Sequence, residues 1–213
     1  MLLLLLPVFV FSVVVHECAH GLAALACGDP TARDAGRITL NPLRHVHPWG
    51  SVVVPVALVL AHAPVVLGWA RPVPINAANF RDPRNAAVWV ALAGPAANGI
   101  LAVVAAALAA LAPASGTLAP LREMAVAAVV LNLALGLFNL IPIPPLDGSW
   151  LLMRFLRLRH ILVLHQLRWA GILVVVALVS FPLTSAALIE RPLRAVASGL
   201  LGCFGLAGAG VMP

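Results

Sequence analysis

His16-Glu17-Cys18-Ala19-His20 lies inside an apolar run that extends from Met1 to Cys27. As a helix, a run of that length crosses the roughly 30 Å hydrocarbon core of a bilayer. An ionised group at the centre of such a helix costs roughly 2.5–3.5 kcal/mol on insertion scales, so Glu17 needs a partner or a task. Helical periodicity places the two imidazoles, at i and i+4, on one face about a turn apart. At that separation both can reach one zinc ion, with the intervening glutamate beside it as a general base. The plainer alternative is a pair of hydrogen-bonded core histidines beside a buried carboxylate.

The rest of the chain is of the same kind. Of its 213 residues 62% are apolar and 9% charged, and the mean hydropathy is +1.06, which describes a polytopic membrane protein. All 13 basic residues are arginines, and nearly all lie between apolar segments. The net charge of +6 therefore reads as topology information, and no arginine-rich polar face for a nucleic acid is visible. Cys18, Cys27 and Cys203 form no C-x-x-C pair and no disulfide framework. No basic stretch precedes the first apolar run, and cleaving that run would discard the His/Glu cluster, so a signal peptide is not expected.

Apolar segments cover about 2–27, 51–68, 86–112, 123–142, 161–182 and, weakly, 195–212. The expected fold is an all-α polytopic membrane protein with about five or six transmembrane segments, in a single domain over 1–213 with a catalytic core at about 1–150 and C-terminal helices at about 155–213. Segment 51–68 is short and carries Pro55, His62 and Pro64; the last segment is glycine-rich. Gly36–Pro42 reads as a short strand ending in a turn, and Arg71–Asn76, with Pro72 and Pro74, as an extended edge. The cluster Pro142–Pro145 must stop the fourth helix and leads directly to Asp147.

Asp147 is the one acidic residue near a span end that could complete a site with His16 and His20. If 51–68, 86–112 and 123–142 all cross, Asp147 emerges on the opposite face from the loop after His20. If 51–68 enters and returns, Asp147 shares that face. Loops 28–85 and 143–160 then carry nine arginines together, against three in 113–122 and 183–194; with every segment crossing, six lie on each face and nothing is oriented. A re-entrant 51–68 is therefore expected. It would return 73–76 to the neighbourhood of 37–40, where the two stretches could pair as a small membrane-associated β-sheet.

At Asn139-Leu140-Ile141-Pro142-Ile143-Pro144-Pro145-Leu146-Asp147-Gly148 the chain resembles the site-2 proteases, intramembrane zinc metalloproteases with H-E-x-x-H in one helix and an N-x-x-P-x-x-P-x-D-G-type stretch in another. Gly28–Arg33, Gly36–Pro42, Gly68–Pro74 and Ala93–Asn98 carry the same resemblance, to the small branch without PDZ or CBS domains. It implies one Zn²⁺ per chain held by His16, His20 and Asp147, with Glu17 as the base that activates the hydrolytic water. It also implies that Asn139 contacts substrate or donates to the oxyanion, a role a side-chain amide suits in a low-dielectric site. The implied substrate is a transmembrane or membrane-proximal segment of another protein, cut in regulated intramembrane proteolysis. The implied home is the lipid bilayer of a prokaryotic cell membrane, with the site nearer the arginine-rich cytoplasmic side.

Other polar residues have plainer readings. Asn98 is read as a packing or hydrogen-bonding residue, Asn41 as turn chemistry, Cys18 as packing off the ligand face, and His45 and His47 as a solvated loop pair. His62, His160 and His165 receive no role. Two rival functions share the motif. An intramembrane zinc transporter would need ligands continuing along a path beyond Asp147, and none follow; a catalytically silent zinc-binding scaffold would not need Glu17. The sequence sets no oligomeric state.

Overall fold

A computed structural model of the chain describes residues 2–62, 68–156 and 168–206. The parts of the expected segments at 63–67, 157–167 and 207–213 lie outside the described residues, as do His160 and His165. Among the described residues the fold is all-helical, and no strand forms. Three helices are long and apolar enough to cross a membrane: α1 (Leu2–Ala26), α2 (Pro83–Leu111) and α3 (Ala119–Asn139). Two more, α4 (Arg168–Ser180) and α5 (Arg191–Cys203), follow. Ala170–Ser180 and Pro182–Cys203 bend by 90° at their junction, and counting them as one span raises the crossings to four. Among the described residues the crossings therefore number three or four, against the five or six expected. Pro182 lacks the N–H that a continuous helix needs there, and Arg191 and Arg194, expected in a loop at 183–194, lie in the first turn of α5.

Local chemistry sets the ends of the three spans. Gly28, at φ +108°, closes α1: Gly28 N–H donates to Leu25 and Asp29 N–H to Ala24, the paired bonds of a left-handed glycine cap. Asp82 opens α2 by accepting from Asn85 N–H at 3.3 Å, with Pro83 in the first turn. The prolines after Leu140 stop α3. Small residues then let the helices meet closely, as packing in lipid requires. A Cβ on Gly136 of α3 would sit 3.3 Å from the Pro95 carbonyl of α2. Ala102, Ala105, Ala106 and Ala109 of α2 form a stripe buried against Val129 and Leu133 of α3 and Leu193, Ala197 and Leu201 of α5.

The stretch between α1 and α2 holds one seven-residue helix, Val54–Leu60. The apolar helical stretch Pro48–Leu60, at about 1.5 Å per residue, is roughly 20 Å long and cannot cross a 30 Å core. Its two flanks meet: Trp69 N–H donates to the Gly50 carbonyl at 3.1 Å and Ser51 Oγ–H to the Trp69 carbonyl at 2.9 Å. A Cβ on Gly50 would fall inside the Trp69 indole. Residues 51 and 68 therefore leave and return at one place.

The anticipated small sheet is absent among the described residues. The two stretches do approach each other, through a side chain: Arg37 Nη2 donates to the carbonyls of Arg71 and Pro72 at 2.5 and 3.3 Å, and Arg71 N–H donates to the His45 carbonyl at 2.8 Å. Pro72 and Pro74 have no N–H to place in a ladder. Asp29, fully buried, ties the far end. It accepts from Thr31 N–H, Thr31 Oγ–H, Asn76 N–H and Asn79 Nδ2–H at 2.5 to 3.1 Å. Burial pushes its carboxyl up, and the bonds from Thr31, Asn79 and Asn76 outweigh that and hold it below the usual carboxylate range.

Candidate metal centre

His16 and His20 project from α1 toward α2, both buried. Their Nε2 atoms lie 3.0 Å apart, and Asp147 Oδ2 stands 3.0 Å from that of His16 and 3.2 Å from that of His20. Asp147 reaches them because the chain doubles back after α3: a Cβ on Gly148 would overlap the Leu140 carbonyl. Asp147 begins the helix Gly148–Met153 without capping it, so its carboxylate is turned to the histidines. Opposite, a Cβ on Gly94 of α2 would lie 2.6 Å from His16 Nε2 and overlap His20 Nε2. Only glycine lets α2 pass so close.

The surrounding hydrogen bonds assign the protons. Asn132 Nδ2–H donates to the Ala128 carbonyl at 2.9 Å, a partner that can only accept. Asn132 Oδ1 must then face Asn98, whose Nδ2–H donates to it at 3.0 Å. Asn98 is thereby obliged to present Oδ1 to His16, 2.5 Å from Nδ1, so Nδ1 carries the proton. His20 Nδ1 likewise lies 2.6 Å from the Val90 carbonyl and donates to it. Both Nε2 atoms are left as lone pairs facing each other and a carboxylate oxygen, all within 4.8 Å. Three converging acceptors in a buried site call for a cation. Two imidazole nitrogens and one carboxylate oxygen, with the other ring nitrogens anchored to acceptors, are a fitting donor set for catalytic zinc.

Glu17, on the same helix, accepts from the backbone N–H of Val73 through Oε2 at 3.0 Å. Asn139 sits at the end of α3 and its Nδ2–H donates to the Leu135 carbonyl one turn back at 2.9 Å, on its own helix. Asn98 does hydrogen-bond, as expected, and its partner is His16. Asn132 was not singled out from sequence; a polar residue in the middle of an apolar helix was the available signal. Cys18 is buried and donates to the Thr39 carbonyl at 3.1 Å. Asn41 caps a short turn by accepting from Leu43 N–H at 3.0 Å, and His47 accepts from Gly50 N–H at 3.1 Å. His45 departs from expectation. It is buried, with Nε2–H donating to Thr39 at 2.9 Å, because the returning Arg71 strap covers it.

Comparison with known proteins agrees with a zinc site. The model described as Peptidase family M50 matches residues 4–118 and 114–182. The chain is 41% identical over 159 residues to "Putative zinc metalloprotease YwhC" of Bacillus subtilis (strain 168), covering 68% of this chain and 67% of that protein. It is 32% identical over 186 residues to "Putative zinc metalloprotease Rip2" of Mycolicibacterium smegmatis (strain ATCC 700084 / mc(2)155), covering 84% of this chain and 68% of that protein. No solved structure matches it.

Proposed function

This chain belongs to peptidase family M50 and is a membrane zinc metalloprotease, and from that premise we propose that it hydrolyses peptide bonds in transmembrane or membrane-proximal segments of other proteins. The observation that carries the reading is the convergence of His16 Nε2, His20 Nε2 and Asp147 Oδ2, two buried lone-pair donors and one half-buried, with Glu17 next to His16 in the chain. These three residues hold the zinc, which when bound supplies a Lewis acid that activates water near neutral pH and polarises a carbonyl.

The chain's own residues do the rest. Among the described residues Glu17 Oε2 is engaged by Val73 and no hydrogen-bond donor meets Oε1. That free oxygen takes the proton of the attacking water and returns it to the leaving amine. Asn139 can serve the developing oxyanion by turning its amide from Leu135 to the substrate. His20 lies six residues before the end of α1, about 9 Å along the axis at 1.5 Å per residue. The chemistry is therefore near the membrane surface from which 28–82 emerges. The arginine excess of that face supports a cytoplasmic side, and the meeting of Gly50 and Trp69 supports a re-entrant hairpin there.

The test incubates purified protein with a panel of single-span membrane proteins and maps the cut by mass. Wild type should cleave with about one zinc per chain, Glu17→Ala should keep zinc and lose cleavage, and His16→Ala should lose both. Cleavage that survives Glu17→Ala would overturn the reading. Glu17-independent zinc flux in liposomes would favour a transporter.

A further inference from the structure

The P-V-P run Pro72-Val73-Pro74 has a single backbone N–H, that of Val73, and this N–H meets Glu17 Oε2 at 3.0 Å. The run is held on both sides. Arg37, buried within the loop, grips the carbonyls of Arg71 and Pro72, and Asp29 takes Asn76 N–H at 2.7 Å. Arg71 N–H is fixed to His45, and the Val73 side chain is buried against α1, where a Cβ on Gly21 would lie 3.3 Å from its Cγ1. Each proline restricts its own φ and the residue before it to extended backbone, so the donor is preorganised. A segment that had to leave for substrate to enter would not be tied at four points.

We propose that this run is a positioning strut for the catalytic base. Arg37 sets the register of the run on α1, and Val73 N–H pins Glu17 Oε2 so that Oε1 is the oxygen presented to water. The inference rests on Glu17 being the base. Val73 and Arg37 are positioning residues, since neither needs to touch substrate, and the strut belongs to the metal-free fold.

Two measurements test it. Val73→Pro deletes the one N–H while keeping extended backbone. It should lower kcat about 10–100-fold, the scale of an ångström-level misplacement of a reacting group, with KM and zinc content within about twofold of wild type. A rate equal to or above wild type with zinc retained would overturn the strut and mark the run as a displaceable plug. The second measurement is hydrogen exchange of the P-V-P run in metal-free protein, where flanking prolines leave one amide to read. Exchange should quicken at least about tenfold in Glu17→Ala and in Arg37→Ala, and stay near wild type in Glu17→Gln, which keeps an acceptor. Equal exchange in wild type and Glu17→Ala would overturn the proposal even if Val73→Pro fails to fold. Cleavage surviving Glu17→Ala refutes the base assignment instead, so the two failures are distinguishable.

Discussion

Replacing Asn98 by alanine tests whether the asparagine relay sets the tautomer of His16. In the folded chain His16 Nδ1–H has Asn98 Oδ1 as its acceptor at 2.5 Å, and the pair is buried. Alanine leaves that N–H without a partner in a region water does not reach, at about 1–3 kcal/mol. The imidazole can escape by moving its proton to Nε2, which removes the lone pair the metal needs, or by turning away from Asp147. Either route weakens zinc, and loss of such an outer partner costs about 10–100-fold in affinity, equivalent to about 1.4–2.7 kcal/mol. Asn132→Ala should cost less, a few-fold, because Asn98 keeps its contact with His16 and loses only the bond that orients it. Since the two act in series, Asn98→Ala/Asn132→Ala should match Asn98→Ala alone, a non-additive cycle. The assay is competition for zinc against a chromophoric chelator in detergent, with thermal melting of the metal-free proteins as the folding control. Asn98→Ala binding zinc within twofold of wild type, or strict additivity in the double variant, would refute the relay.

Gly94→Ala places a methyl 2.6 Å from His16 Nε2, about 0.8 Å inside ordinary contact, so α2 or the imidazoles must shift; cleavage should fall about 100-fold with helix content unchanged by circular dichroism. Asp29→Ala strands the donors of Thr31, Asn76 and Asn79 and should lower stability by roughly 2–3 kcal/mol, read as a drop in melting temperature. Because the folded pKa of Asp29 is depressed, the wild-type contribution is present above the unfolded carboxylate pKa near 4 and is lost as pH falls through the folded value. The wild-type advantage over Asp29→Asn should shrink accordingly in acid. With Cys18, Cys27 and Cys203 replaced by serine, single cysteines at Leu43→Cys and Arg81→Cys, flanking the hairpin, should label from the same side of oriented vesicles with an impermeant maleimide. Labelling from opposite sides would refute the re-entrant path.

The cluster proposed to hold the metal was largely legible in the sequence. His16, Glu17 and His20 follow from helical periodicity, because i and i+4 share a face whatever surrounds them. Asp147 needed parity and the arginine distribution, both long-range constraints a membrane imposes on a linear chain. The Gly50–Trp69 contact agrees with the hairpin those constraints required. What failed is instructive. Extended backbone at Arg71–Asn76 was anticipated, but prolines that favour extension also remove ladder donors, so the stretch is held by the Arg37 side chain and no sheet forms. The relay through Asn98 and Asn132 was half visible: its members lie 34 residues apart on different helices, and one-dimensional spacing carries no such pairing. The burial of His45 and Arg37 depends on a strap that returns from a distant part of the chain. The break at Pro182 coincides with the end of the segment at 161–182, but the helix that resumes directly after it was not legible, because Arg191 and Arg194 make 183–194 read as a loop.

X-ray absorption at the zinc edge of the purified wild-type protein addresses the metal centre most directly. The structure predicts a first shell of two imidazole nitrogens and carboxylate oxygen at about 2.0–2.2 Å. A sulfur scatterer at about 2.3 Å, which would bring in Cys18, or a shell of oxygens without imidazole, would contradict it.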